Sequence, residues 1–158
     1  MSTHTLRDTV GAGELQLASF QIGDLLLGID IHQVQEINRN LDLTPVPHAP
    51  DSVRGVINLR GEVVTVIDLR RVLGLPAVEC TRLTRNVIVN NGGEQVGLLV
   101  DCIADVVKSF VDDIDPLPEN LGGLDHGFFQ GVVKLEAGLL VILNVEQTLG
   151  VVGGTSES

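Results

Sequence analysis

Tryptophan and tyrosine are absent from the sequence, and only four phenylalanines occur in 158 residues. The interior therefore has to be aliphatic. Val, Leu and Ile dominate the 44% of hydrophobic residues, and the β-branched ones favour strands. Basic residues are also scarce, 10 Lys and Arg against 21 Asp and Glu, for a net charge of -11. Such a field repels a phosphate backbone and an anionic membrane, so nucleic-acid partners and membrane-surface docking are excluded. No apolar run reaches the roughly 18 residues of a membrane span. The N-terminus lacks the charged-then-apolar order of a signal peptide, so the expected location is the cytoplasm, without membrane insertion. Cys80 and Cys102 form no Cys-x-x-Cys pair and are expected to be free thiols in or near the core.

What the chain does have is punctuation. Eighteen glycines and six prolines separate short apolar runs, the pattern of an all-β or β-rich domain. The length fits one domain or two very small ones sharing a core.

The same parts occur twice. Residues 28–37, GIDIHQVQEI, align without a gap on residues 97–106, GLLVDCIADV, so that Gly28 falls on Gly97, Val34 on Ile103 and Ile37 on Val106. Thr-Pro-Val-Pro at 44–47 matches Asp-Pro-Leu-Pro at 115–118. Residues 55–69 match 131–145, and Leu73-Gly74 matches Leu149-Gly150. Three collinear blocks indicate duplication. Repeat one spans about 23–76 and repeat two about 91–150, inside a domain covering 15–150. Residues 1–14 and 151–158 are expected to be flexible.

Each copy is expected to hold about five strands. Leading strands 15–22 and 86–90 come first, followed by 25–30 and 95–100. The three-residue spacing of Ile31, Val34 and Ile37, and of Val100, Ile103 and Val106, predicts a short helical turn. The Pro-x-Pro segments read as extended edge. Hairpins follow at 53–69 and 130–145, turning at Arg60-Gly61 and Ala137-Gly138. A short helix near 70–73 stops at Gly74, with Pro76 behind it. Two small curled sheets or barrels around a shared core result, one lobe per copy.

Chemistry is hard to find. No phosphate-binding glycine loop, nucleophile elbow or kinase motif is present. The histidines at 4, 32, 48 and 126 have no metal-ligand spacing, and no cofactor site emerges. Asp112, Asp113 and Asp115 precede Pro116 and lack the glycine and glutamate of a calcium loop. The copies differ most at the hairpin tip, where Asn58-Leu59-Arg60-Gly61-Glu62 faces Lys134-Leu135-Glu136-Ala137-Gly138. Residues 23–76 have net charge -2 and residues 91–150 have -8, as expected of surfaces meeting different partners. The planar fork of Arg60 suits interface recognition of carboxylates. Gln33, Glu36 and Asn40 are expected on the outward side of the first helical turn.

GIDIHQVQEI, followed by VRGVINLRGEVVTVIDLR at 53–70, closely resembles the CheW family of chemotaxis coupling proteins. The resemblance covers 15–150, and the Asn-Leu-Arg-Gly…Asp-Leu-Arg hairpin is its most specific part. It implies two five-stranded SH3-like barrels on a shared core. It also implies a non-catalytic adaptor joining the regulatory domain of the histidine kinase CheA to methyl-accepting receptors, in polar membrane-associated arrays. The positions implied in partner binding are Val34, Glu36, Gly55, Arg60 and Gly61, with Asn58 and Leu59 beside them in the hairpin. Ile31 and Val100 are candidates for a receptor groove. The chain leaves no room for a kinase or receiver domain, which points to a stand-alone adaptor. The same adaptor class in another chemosensory-like pathway, such as twitching motility or gene regulation, is the alternative. A ligand-binding module using the cleft between lobes is the rival from another class. Thr65 and Leu26-Leu27 depart from the residues usual in the family.

Overall fold

The computed structural model describes residues 13–119 and 126–150. Its ten strands are β1 (Glu14–Ile22), β2 (Leu25–Asp30), β3 (Val34–Asn38), β4 (Val53–Leu59), β5 (Glu62–Asp68), β6 (Arg85–Asn91), β7 (Glu94–Val100), β8 (Cys102–Phe110), β9 (Phe129–Leu135) and β10 (Gly138–Leu143). A one-turn helix α1 (Leu69–Val72) follows β5, and a second, α2, covers residues 145–150. Each is capped by the residue before it. The Asp68 carboxylate accepts from the Arg70 amide at 3.1 Å, and the Asn144 side chain accepts from the Gln147 amide at 3.0 Å.

The strands form two five-stranded sheets, ordered β8-β1-β2-β10-β9 and β3-β6-β7-β5-β4. Neither sheet is built from one copy of the repeat. The first takes β1 and β2 from the front of the chain and β8 to β10 from the back. The second takes β3 to β5 from the front and β6 and β7 from the back. The expectation of one lobe per copy is therefore corrected: the copies exchange strands. Four pairs join the copies, the antiparallel β1 with β8 and β3 with β6 and the parallel β2 with β10 and β5 with β7.

The duplication holds residue by residue. Val34 pairs with Val89 and Ile37 with Val87 in the second sheet, as Ile103 pairs with Phe20 and Val106 with Ala18 in the first. Gly55 opposite Val66 corresponds to Gly131 opposite Ile142. Gly97 beside Val66 corresponds to Gly28 beside Ile142 in the parallel pairs. Even the Pro-x-Pro segments match, Thr44 exchanging two 2.9 Å backbone bonds with Val56 and Asp115 two with Val132.

Alternation along the strands sends one face of each sheet into a shared core. Phe20, Leu27, Ile29, Val141 and Leu143 of the first sheet meet Ile67, Val87, Val89, Leu98 and Val100 of the second. The opposite faces make smaller separate cores. Leu15, Leu17, Val133, Leu140 and Ile142 serve the first sheet, and Ile57, Val64, Val66, Ile88 and Leu99 the second.

Three local expectations change. Only Ile31–Gln33 forms a turn of 3-10 helix, and Val34–Asn38 is strand. No helix occurs at 100–106, which is mostly β8. Both strands carry a bulge, between Val34 and Glu36 and between Ile103 and Val106. The added residue puts side chains three apart on one face, imitating a helical period. The β9–β10 connection is Glu136-Ala137, because Gly138 already pairs with Leu135. Cys80 is exposed and Cys102 half-buried, both as free thiols. The expected flexible ends lie outside the described residues, apart from Gly13 and Glu14.

Gly55 and Gly61 separate two reasons for glycine. Gly55 has φ 150°, and a Cβ there would stand 2.6 Å from the Thr44 carbonyl oxygen. Gly61 has φ 86° with open space around it. Gly61→Ala should cost about 1 kcal/mol of stability through backbone strain alone. Gly55→Ala should cost roughly 2–3 kcal/mol, since the Thr44–Val56 bridge must also move. Urea unfolding of both variants measures the order, and a Gly55 variant no weaker than the Gly61 variant would contradict the packing account.

Candidate partner-binding site

The β4–β5 connection is a two-residue turn with positive φ at both positions, 53° at Arg60 and 86° at Gly61, the conformation that suits a tight hairpin. Asn58 fixes it by accepting from the Gly61 amide at 2.9 Å. Arg60 is thereby held out from the tip with 71% of its side chain exposed. It does not point freely into solvent. Its Nη2 donates to Oε1 of Glu36 on β3, whose side chain is 24% exposed, and Asn38 Nδ2 donates to the other carboxylate oxygen at 2.9 Å. The Asn38 amide and the Arg60 fork and charge together outweigh burial and hold the Glu36 carboxyl below the usual carboxylate range.

β3 and β4 are the two outer strands of the second sheet. The ion pair therefore joins opposite edges of one sheet. Beside it, Asn40, Asp42, Thr44, Val56, Asn58 and Val63 line an open depression, with Val63 72% exposed.

Of the expected site residues, Glu36, Asn58, Arg60 and Gly61 thus converge at one tip. Leu59 is half-buried against the second sheet's own core. Val34 and Ile31 are half-buried against the shared core, and Val100 lies within it at 1% exposure, so Val100 offers a partner no surface. Gly55 lies within β4, where its role is the close approach of Thr44. Gln33 and Asn40 are half-buried instead of facing outward. Among the described residues no group of three His, Cys, Asp or Glu side chains converges to hold a metal. No helix among them is long and apolar enough to cross a membrane.

A second ion pair lies where the sheets meet. Arg70 of α1 forks onto Asp101, with Nε–Oδ1 at 3.0 Å and Nη2–Oδ2 at 2.6 Å. Asp101 also accepts from the Gly23 amide at 2.8 Å, and Arg70 donates to the Pro76 carbonyl at 3.0 Å. The β1–β2 turn, the end of β5 and the β7–β8 connection are thus tied at one point. Burial pushes the Asp101 carboxyl up, but the Arg70 fork, the Gly23 amide and the Arg70 charge outweigh it and leave it below its ordinary value. Arg70 lies within the recognised hairpin motif. Asp101, 31 positions further on, gave no signal in sequence.

The profile of the CheW-like domain family matches residues 16–152. The chain belongs to this family. It is 34% identical to the chemotaxis protein CheW of Rhizobium meliloti (strain 1021) over 134 residues, 85% of this chain and 86% of the relative. It is 36% identical to protein FrzA of Myxococcus xanthus over 110 residues, 70% of this chain and 68% of the relative. The crystal structure of the scaffolding protein TtCheW from Thermoanaerobacter tengcongensis superposes with a TM-score of 0.78 at 28% identity, over 85% of this chain and 91% of that one. The CheW-like fold is thus shown by sequence and by structure, with the ten strands in two five-stranded sheets.

The seam pair sets a pH dependence. A carboxyl held below its unfolded value adds stability that is complete above about pH 4 and is lost as pH falls through the folded value. Asp101→Asn should therefore lower stability by about 1–2 kcal/mol at pH 7 for this partly buried fork. The difference from wild type should shrink below about pH 4. Denaturant unfolding at pH 7, 5 and 3 checks it, and a difference constant over that range would deny the pair an electrostatic role.

Proposed function

We propose that the protein is a non-catalytic adaptor that couples methyl-accepting chemoreceptors to the regulatory domain of a CheA-type histidine kinase. Family membership over residues 16–152 carries this reading. The paired Arg60, presented at a rigid hairpin tip, marks the partner-binding face. That face comprises Glu36, Asn58, Leu59, Arg60 and Gly61, with Val34 and Ile31 on the adjoining stretch, while Gly55 shapes it from within. The protein acts in the cytoplasm, recruited to receptor arrays at the membrane. Signal passes as a change in the relative positions of bound partners, and no bond is made or broken.

Charge is unevenly spread along the chain, which supports a division of labour between surfaces. Residues 31–100, which build the whole second sheet, carry seven Arg and seven Asp/Glu, so the entire net charge of -11 lies outside them. Among the described residues most of the acids outside this stretch stand in connections, Asp24, Asp101, Asp112, Asp113, Asp115 and Glu119, and not on the strands of the first sheet. A neutral stretch with a fixed ion pair and a set of acidic connections select different partners. The match to protein FrzA, a relative under another name, favours as the second reading the same adaptor class in a different chemosensory pathway.

Because Arg60 is paired, a single charge reversal both removes the guanidinium and sets two carboxylates together. Arg60→Glu should weaken capture of the kinase regulatory domain and of a receptor cytoplasmic fragment by about tenfold or more. The double exchange Glu36→Arg with Arg60→Glu restores an ion pair between the same strands. If the guanidinium is read directly, the double variant should stay as weak as the single one. Recovery would mean that partners read only the hairpin's position. Wild-type protein that captures neither partner from its own organism would overturn the adaptor reading.

A further inference from the structure

The Glu36–Arg60 pair is the visible end of a longer chain of hydrogen bonds. Asn38 Nδ2 donates to Glu36 at 2.9 Å. The Asn40 amide donates to Asn38 Oδ1 at 2.9 Å. The Asn40 carbonyl accepts from Asn86 Nδ2 at 3.4 Å. Asn86 lies on β6 with 0% exposure, beside the aliphatic core of the second sheet. We infer that Asn86, acting through Asn40 and Asn38, is a positioning residue that aims the Glu36 carboxylate at Arg60.

Packing does not explain an amide at this position. Its Oδ1 finds no donor among the described residues, and leaving a buried acceptor unmatched is unfavourable. The duplication shows what packing alone selects. The counterpart of Asn86 in the first sheet is Leu17, a wholly buried core residue with the same branching at Cγ. The rest of the chain of bonds is missing there too. Val107 stands for Asn38, Asp105 for Glu36 and Glu136 for Arg60. The amides thus occur in the sheet that has the ion pair and not in the sheet whose equivalent charges are alike. Gly97 makes the side chain possible, since a Cβ there would collide with Asn86 Oδ1.

Through the tip it serves, the inference rests on the proposed partner-binding face, but its geometry can be tested without any partner. The variants are Asn86→Leu and Asn38→Val, each copying the first sheet. Three quantities are read on the full chain: the unfolding midpoint, the Glu36 carboxyl titration by 13C NMR, and binding to the kinase regulatory domain and receptor fragment. Asn86→Leu should unfold at the wild-type temperature or above, because an apolar side chain replaces an unmatched acceptor. Glu36 should nevertheless titrate at higher pH in both variants, with the larger change in Asn38→Val. Partner binding should weaken by about three- to tenfold.

Glu36 titrating as in wild type in both variants would overturn the inference. So would an Asn86→Leu chain whose loss of stability accounts for its loss of binding. If Asn86→Leu fails to fold, the anchor is structural and the inference fails for Asn86. Wild-type protein binding no partner would sink the proposed face, while the Glu36 titration would still decide the positioning role.

Discussion

Two parallel strand pairs, β2 with β10 and β5 with β7, are the constraint on which the rest of the molecule depends. Antiparallel hairpins such as β4–β5 form from neighbouring residues and belong to one copy of the repeat. A parallel pair requires a long connection, and here it joins opposite copies. Each sheet therefore completes itself only when both copies are present. The shared core follows from this, because every copy feeds strands to both sides of it. A lobe of about 60 residues would be marginal alone. Exchange removes the question by making the two lobes one cooperative body.

That body gives an adaptor one continuous frame, in which neither sheet shifts alone. The sheets meet across a wide aliphatic interface and are tied at its edge by the Arg70–Asp101 fork, which also holds the β1–β2 turn through Gly23. Bending one sheet against the other would open apolar surface and strand a half-buried carboxylate. Both are unfavourable, so displacement at one face is carried to the other as rigid motion.

Much of this was legible in the sequence, for physical reasons that differ by element. The β4–β5 hairpin could be placed to the residue, because Arg60-Gly61 interrupts two apolar runs at the spacing of a tight turn. The repeat alignment proved correct at Gly28, Val34 and Gly55, since strand registers and bulges are inherited together. The residues at 31–37 imitate a helical turn because a bulge at Gln35 gives a strand the three-residue spacing of a helix. Strand exchange was invisible: hydrophobic periodicity reports which face of a strand is buried, not which sheet receives it. Asn40 reads from sequence as an outward residue of a helical turn, nothing singles out Asn38 or Asn86, and only the fold brings the three into line. Leu17 and Asn86 stand at equivalent places on the leading strands, which the matching blocks 28–37 and 97–106 do not reach.

The divergence between the copies bears on specificity. Position for position the sheets share a register, so a partner shaped to one would by shape alone fit the other. Charge breaks the degeneracy. In the second sheet the outer strands carry Glu36 and Arg60, which satisfy one another; in the first the same positions are Asp105 and Glu136, which cannot. A partner approaching the second sheet meets a neutral, pre-formed pair whose guanidinium can still donate outward. A partner approaching the first meets uncompensated carboxylates that reject acidic surfaces and favour basic ones. Duplication supplied two similar sheets, and one change of charge sign, arginine at 60 against glutamate at 136, is enough to make their outer strands electrostatically unlike.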